Sequence, residues 1–291
     1  MSVAGKTMRS ADMRTIKTPL PFCKMSGAGN DFIIIDHRKV MVPEALMADF
    51  ARRVCRRRFS VGADGLFFIE VSSRADFKWR FFNSDGSEAE MCGNGARCVA
   101  RFAYMHGIAA ARMRFETLAG IIDATVADTQ VTIAMPLPQA MRLDQEVRIG
   151  EQHFIVHCVD TGVPHIVLFD DEIDAAKVTD LGRQLRHHPL FAPAGTNVNF
   201  VSGNQEGFRL RTYERGVEAE TMACGTGAVA CALIAAARGL AQSPVTVLTA
   251  GGTPLIVRFG KGNDQGQVEQ VLLKGPAHLI YRGEITAEAL L

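Results

Sequence analysis

Net charge is the first thing this sequence lacks: 32 lysines and arginines against 31 aspartates and glutamates leave only +1 over 291 residues. Without a charge excess there is no global field to gather nucleic acid or an anionic membrane, so small-molecule chemistry is the better starting point. Also missing is any run of the roughly 18 apolar residues a membrane-spanning helix needs, and Met1 to Pro21 has no apolar core of a secretory signal. That leader (residues 1–21) shows neither helical nor strand periodicity and is expected to be a flexible extension. No CxxC pair occurs, and the cysteines are odd in number: Cys23, Cys55, Cys92, Cys98, Cys158, Cys224 and Cys231. Such a set fits neither a disulfide scaffold nor a zinc ribbon, and free thiols in a reducing, cytoplasmic compartment are expected. His187-His188 has no carboxylate nearby in sequence, so no metal is assigned.

What is present is duplication. With 47% apolar residues the chain can bury a substantial core, and that core is written twice. Ser26-Gly27 running to Asp36 is echoed by Thr161-Gly162 running to Asp170. Gly62-Ala63-Asp64 is echoed by Gly195-Thr196-Asn197, Phe77–Asn83 by Phe208–Glu214, and Met91-Cys92-Gly93-Asn94-Gly95-Ala96 by Ala223-Cys224-Gly225-Thr226-Gly227-Ala228. The offset stays at about 131 to 135 residues. Two similar domains follow, 22–140 with Cys92 and 141–291 with Cys224, joined near Leu137 to Gln145.

Within each domain the order is sheet, one helix, sheet. Ala228 to Ala237 (AVACALIAAA) has no polar face and reads as a helix enclosed on all sides, while its copy, Ala96 to Met105, keeps only Arg97 and Arg101 as charged breaks. There are too few helices for a parallel βαβ winding. The expected fold is therefore α+β: two pseudo-symmetric domains, each a rolled, mostly antiparallel sheet around a central helix, with a cleft between them. Glu44 to Arg58 reads as a further amphipathic helix whose arginines form a solvated face.

The repeated cysteine motif carries the chemistry. A thiol at a helix start is favoured as thiolate by the helix's positive end, and bare glycine backbone lets N–H groups approach a carboxylate. Inverting a stereocentre by proton transfer needs a base on one face and an acid on the other. Equivalent cysteines from two halves related by an approximate twofold supply that geometry. The other five cysteines read as core.

Together with Lys24–Phe32, Gly62-Ala63-Asp64-Gly65, Phe82–Ser87, Gly195-Thr196-Asn197 and Tyr213-Glu214-Arg215-Gly216, these motifs make the chain resemble the diaminopimelate epimerase family from Lys24 to Tyr281. The resemblance implies PLP-independent interconversion of LL- and meso-2,6-diaminopimelate, in lysine and cell-wall precursor biosynthesis, with no cofactor and a homodimeric assembly. It implies Cys92 as thiolate and Cys224 as thiol in one direction, with exchanged roles in the other. Gly93, Asn94, Gly225 and Thr226 would hold the carboxylate of the reacting carbon, and Asn30 and Glu214 would contact ammonium groups. Asn83, Asn197 and Arg215 would read the distal end, and His165 would support the thiol pair. Two departures bear on the distal end: Val163 stands where the family commonly has asparagine before Pro-His, and 216–221 is one residue longer. Taken alone, the asparagines could serve turns, Glu214-Arg215 a surface ion pair, and His165 a structural hydrogen bond. Alternative activities are a proline or hydroxyproline racemase-type epimerase, a phenazine-type isomerase of similar fold, or a thiol redox or binding protein.

Overall fold

The repeat is one of strand pairings as well as of residues. The computed structural model describes residues 13–170, 172, 178–261 and 268–291. Its first half runs β1 (Leu20–Gly27), β2 (Asn30–Asp36), α1 (Glu44–Val54), β3 (Gly65–Glu70), β4 (Phe77–Asn83), α2 (Gly93–Met105), β5 (Arg112–Thr117), β6 (Gly120–Ala127), β7 (Gln130–Met135) and β8 (Gln139–Ile149). The second runs β9 (Gln152–Asp160), β10 (Pro164–Phe169), α3 (Val178–Arg186), β11 (Asn197–Asn204), β12 (Gly207–Glu214), β13 (Ala219–Thr221), α4 (Gly225–Ala237), β14 (Val245–Leu248), β15 (Pro254–Lys261), β16 (Val268–Pro276) and β17 (His278–Ile285). From β1 to β7 the successive pairings are antiparallel, parallel, antiparallel, parallel, antiparallel, antiparallel. The same series recurs from β9 to β16, with the short β13 as an added hairpin strand on β12.

Each half rolls its sheet around one helix. α2 packs on β1, β2, β6 and β7, and α4 on β9 to β12 and β14 to β16. Every residue of α4 from Ala228 to Ala235 is buried, as a helix without a polar face requires. Val99, Phe102 and Ala103 of α2 join the same continuous core with Phe67, Trp79, Val229 and Leu233. Each fully buried large apolar side chain contributes about 1.5–3 kcal/mol. The two outer helices close separate clusters, α1 over Ile33, Ile35 and Phe68, α3 over Ile166, Val198 and Phe200.

The halves are stitched together rather than merely joined. The last strand of each repeat pairs with the first strand of the other: β8 lies antiparallel on β9, and β17 on β1. β7 and β16 then pair edge to edge across the middle, so all strands form one sheet. The segment near 137–145, read as a connector, lies largely in strand β8, and β17, assigned by sequence to the second domain, is built onto the first. Left unpaired, β1 and β9 would present rows of free N–H and C=O groups, which the exchanged strands satisfy.

Of the expected flexible extension, residues 1–12 lie outside the described residues. The remainder is ordered by burial: Ile16 and Leu20 are buried in the cluster beneath α1, and β1 begins at Leu20, opposite Ile285. The α1 helix ends at Val54 rather than Arg58. Its arginines form pairs: Arg52 and Arg53 with Asp49 at 2.9 Å, and Arg57, beyond the helix, with Asp31 and Asp64.

Candidate active site

Both cysteines cap their helices. Cys92 precedes α2 with extended backbone (φ −145°, ψ 114°), and its Sγ accepts the Gly95 N–H at 3.4 Å; Cys224 precedes α4 at φ −120°, ψ 111°, and accepts from Gly227 N–H at the same distance. A helix start leaves its first N–H groups without carbonyl partners, and the sulfur here takes the place of the usual serine or aspartate cap. The N–H groups of Gly93 and Asn94, and of Gly225 and Thr226, have no partner within their own helices.

The four glycines divide into two kinds. A Cβ on Gly95 would stand 2.3 Å from Phe67 Cζ, and one on Gly227 2.5 Å from Asn199 Oδ1, so both positions exclude any side chain by packing. A Cβ on Gly93 would meet nothing closer than Ile133 Cδ1 at 3.9 Å, and one on Gly225 the end of Leu273 at 3.0 Å and Asn94 Oδ1 at 3.8 Å. Leu273 of β16 lies beneath both helix starts. Asn94 ties them together, its Nδ2 donating to Ala223 O at 3.2 Å, one residue before Cys224.

The helix-start N–H groups favour both thiolates, as expected, but burial acts against them. Burial pushes Cys92 up to about 11 and Cys224 up to about 12, outweighing the N–H groups that favour their thiolates. The negative charge of Glu214 bears on both sulfurs in the same direction. Burial thus favours the thiol form of both until something compensates a thiolate. Cys55 and Cys98 are buried and also raised to about 12, and Cys231 is raised by burial alone.

The remaining expected residues fall into two groups. Asn30, at the start of β2, accepts from Asn94 Nδ2 at 2.5 Å and donates to Asp64 Oδ2 at 3.1 Å, so its amide is oriented between the helix start and a carboxylate. Asn197 opens β11 opposite His165; its Nδ2 donates to Pro164 O at 3.0 Å and its Oδ1 accepts the Arg215 N–H at 2.8 Å. The Arg215 side chain donates to Ala194 O at 3.4 Å. Glu214, half-buried, accepts from Thr221 Oγ1 at 2.8 Å, and burial raises its pKa. Asn83 stands somewhat apart: it pairs with Gly65, beside Asp64, but its amide is engaged with Ser87 Oγ in its own turn at 3.0 Å.

His165 is buried, with Nδ1 3.0 Å from Asn199 Nδ2 and Nε2 without a partner among the described residues. An amide donor at Nδ1 fixes the proton on Nε2, and burial with Arg215 nearby lowers the ring's pKa to about 3. Sequence reasoning missed Asn199, which also donates to Ile166 O at 2.8 Å and accepts from Thr212 Oγ1 at 2.9 Å. Its spacing from Asn197 was the available signal, because residues two apart on a strand share a face. Asp64 and Thr221, which orient Asn30 and Glu214, were missed as side-chain partners too. Among the described residues no cluster of three or more His, Cys, Asp or Glu is arranged to hold a metal, and no helix is long and apolar enough to cross a membrane.

A sulfur from each pseudo-symmetric half, at the start of that half's enclosed helix and beside unused N–H groups, is the equipment of a two-thiol racemase or epimerase. The family model for diaminopimelate epimerase matches residues 22–140 and 157–279. The chain is 42% identical to the diaminopimelate epimerase of Aquifex aeolicus (strain VF5) over 282 residues, 93% of this chain and 99% of that one. In fold it is similar to a Bacillus anthracis phenazine biosynthesis protein of the PhzF family (TM-score 0.74, 15% identity, 92% of this chain and 99% of that one). It is also similar to a hydroxyproline epimerase from Agrobacterium vitis (TM-score 0.67, 15% identity, 94% of each chain). The chain belongs to the diaminopimelate epimerase family.

Proposed function

We propose that this protein interconverts LL- and meso-2,6-diaminopimelate without PLP, one thiol removing the α-proton while the other delivers a proton to the opposite face. In one direction Cys92 acts as thiolate and Cys224 as thiol; in the other the roles exchange. The observation that carries this reading is the matched pair of sulfur caps, each on its own half and both under the influence of Glu214.

In this reading the N–H groups of Gly93, Asn94, Gly225 and Thr226 receive the substrate carboxylate next to the reacting carbon. Fixed dipoles then meet the charge that develops when the proton leaves. Glu214 and Asn30 offer acceptors to an ammonium group, and an ammonium held there supplies the positive charge a buried thiolate needs. Asn197 and Arg215, with Asn83, read the distal amino-acid end, where Val163 replaces a side-chain contact common in the family. A second head group is what separates this substrate from proline, and the likeness to hydroxyproline epimerase is one of fold.

A reducing, cytoplasmic setting suits two thiols that must stay apart, and lysine and cell-wall precursor synthesis is the pathway the family suggests. A homodimer is the family's assembly; exposed Ile280 and Tyr281 on β17 offer an apolar surface for it. The test is incubation of the purified chain with LL-diaminopimelate and no added cofactor. Formation of the meso isomer is expected; an unchanged LL isomer, with proline or hydroxyproline epimerised instead, would move the substrate assignment to the alternative.

A further inference from the structure

Arg97 is the largest side chain wholly enclosed among the described residues, at 0% exposure. Its guanidinium donates to Asn94 Oδ1 at 2.7 Å, Gly93 O at 3.3 Å and Pro276 O at 3.4 Å, all neutral acceptors. Among the described residues no carboxylate pairs with it, and the ionisable groups that bear on it are the thiols of Cys98 and Cys92. A buried cation without a counter-charge is expensive to keep, so its retention calls for an anion that forms at this place. The guanidinium packs close to bare backbone: a Cβ on Gly275 of β16 would stand 2.5 Å from Leu255 Cδ2, 3.0 Å from Arg97 Nε and 3.2 Å from Cζ.

The duplication sharpens the point. At the 132-residue offset that relates Cys92 to Cys224, the counterpart of Arg97 is Val229, which is buried in the core. Asn94, which Arg97 orients, corresponds to Thr226, whose hydroxyl lies 3.4 Å from Cys224 Sγ. One sulfur therefore has a fixed cation behind it and the other has an isopropyl group and a hydroxyl.

We propose that Arg97 is a positioning residue that breaks the symmetry of the thiol pair, its buried cation making Cys92 the sulfur that ionises first and leaving Cys224 as the resting proton donor. The assignment rests on the two-thiol reading. The other charged or titratable groups around the pair do not supply this bias. Glu214 on β12 opposes ionisation of both sulfurs, and His165 on β10 is neutral. Cys98 is a deeply buried thiol, and Arg101 is turned away to Asp128 O and Ala277 O. Leu273 and Gly275 of β16 and Ile133 of β7 bring no charge to this place. Arg97 is among the groups that lower the ionisation of Cys92, whereas those that lower Cys224 are the Thr226 hydroxyl and the Gly227 N–H.

The test is brief pulses of iodoacetamide across alkaline pH, read residue by residue by peptide mass spectrometry, on wild type, Arg97→Lys and Arg97→Gln. Wild type should alkylate Cys92 with a midpoint below that of Cys224. Arg97→Lys should keep that order. Arg97→Gln should raise the Cys92 midpoint by about one unit while leaving Cys224 in place, the effect of removing one charge from a poorly screened site. A lowered melting temperature in Arg97→Gln without movement of the Cys92 midpoint would reduce Arg97 to a brace. A wild-type order in which Cys224 ionises at or below Cys92 would overturn the proposal even if the glutamine variant does not fold. Alkylation does not depend on turnover, so this result and that of the diaminopimelate assay can fail separately.

Discussion

Replacing single glycines of the CGxG motifs by alanine should separate packing from binding. In Gly95→Ala the new methyl lies 2.3 Å from Cζ and 2.8 Å from Cε2 of Phe67, a fully buried ring stacked on Phe81 at 4.3 Å and packed against Phe32 and Trp79. The ring has no empty space to retreat into, and overpacking of this kind costs about 1–3 kcal/mol. For a chain of this size that lowers Tm by roughly 2–5 °C. In Gly93→Ala the nearest atom is 3.9 Å away, an ordinary contact, so stability should change by no more than about 0.5 kcal/mol. The same methyl, however, would stand beside the Gly93 N–H that is proposed to receive the substrate carboxylate. A displacement of about 1 Å there should cost on the order of 100-fold in kcat/KM. Thermal unfolding by circular dichroism and turnover of LL-diaminopimelate, measured on both variants, decide the matter. The reasoning fails if Gly93→Ala melts as early as Gly95→Ala, or if it keeps wild-type turnover.

Oxidation offers another check: diamide should join Cys92 to Cys224 and abolish activity, and dithiothreitol should restore it, whereas peptide mapping that finds both free after oxidation would contradict their proximity. His165 makes a pH prediction. Its pKa falls from the ordinary 6.5 to about 3 on folding, so the stability it contributes is complete above about pH 6.5 and is lost as pH falls toward 3, at about 1.4 kcal/mol per unit. Urea midpoints measured from pH 7 to 4 should therefore decline more steeply in wild type than in His165→Gln; parallel curves would show that the ring is not buried neutral.

The duplicated core was legible because its signals are local. Glycines mark the helix starts, and the apolar face of α4 is complete enough to declare its surroundings. The exchanged strands were not legible, since pairing β17 with β1 joins residues more than 250 apart and no local pattern announces such a partner. Strand β8 was hidden for a different reason: most of its side chains are exposed, so it carries little of the apolar alternation by which strands are read. At the site, the cysteines, the asparagines at positions 30 and 197, and Glu214 follow from the repeat and the family resemblance. The protonation of the thiols does not, because it depends on how completely the two halves exclude water, which only the assembled fold determines. Arg97 and Arg101 looked like polar breaks in an enclosed helix; they instead reach the carbonyls of Pro276 and Ala277 across the junction between the halves.

The central claim, one sulfur on each face of a single carbon, is tested most directly by catalysis in deuterated water. Wild-type protein should invert LL-diaminopimelate and leave one solvent deuterium at the inverted α-carbon, while Cys92→Ala and Cys224→Ala should each abolish inversion. Full inversion by either single-cysteine variant, or inversion by wild type without deuterium in the product, would contradict it.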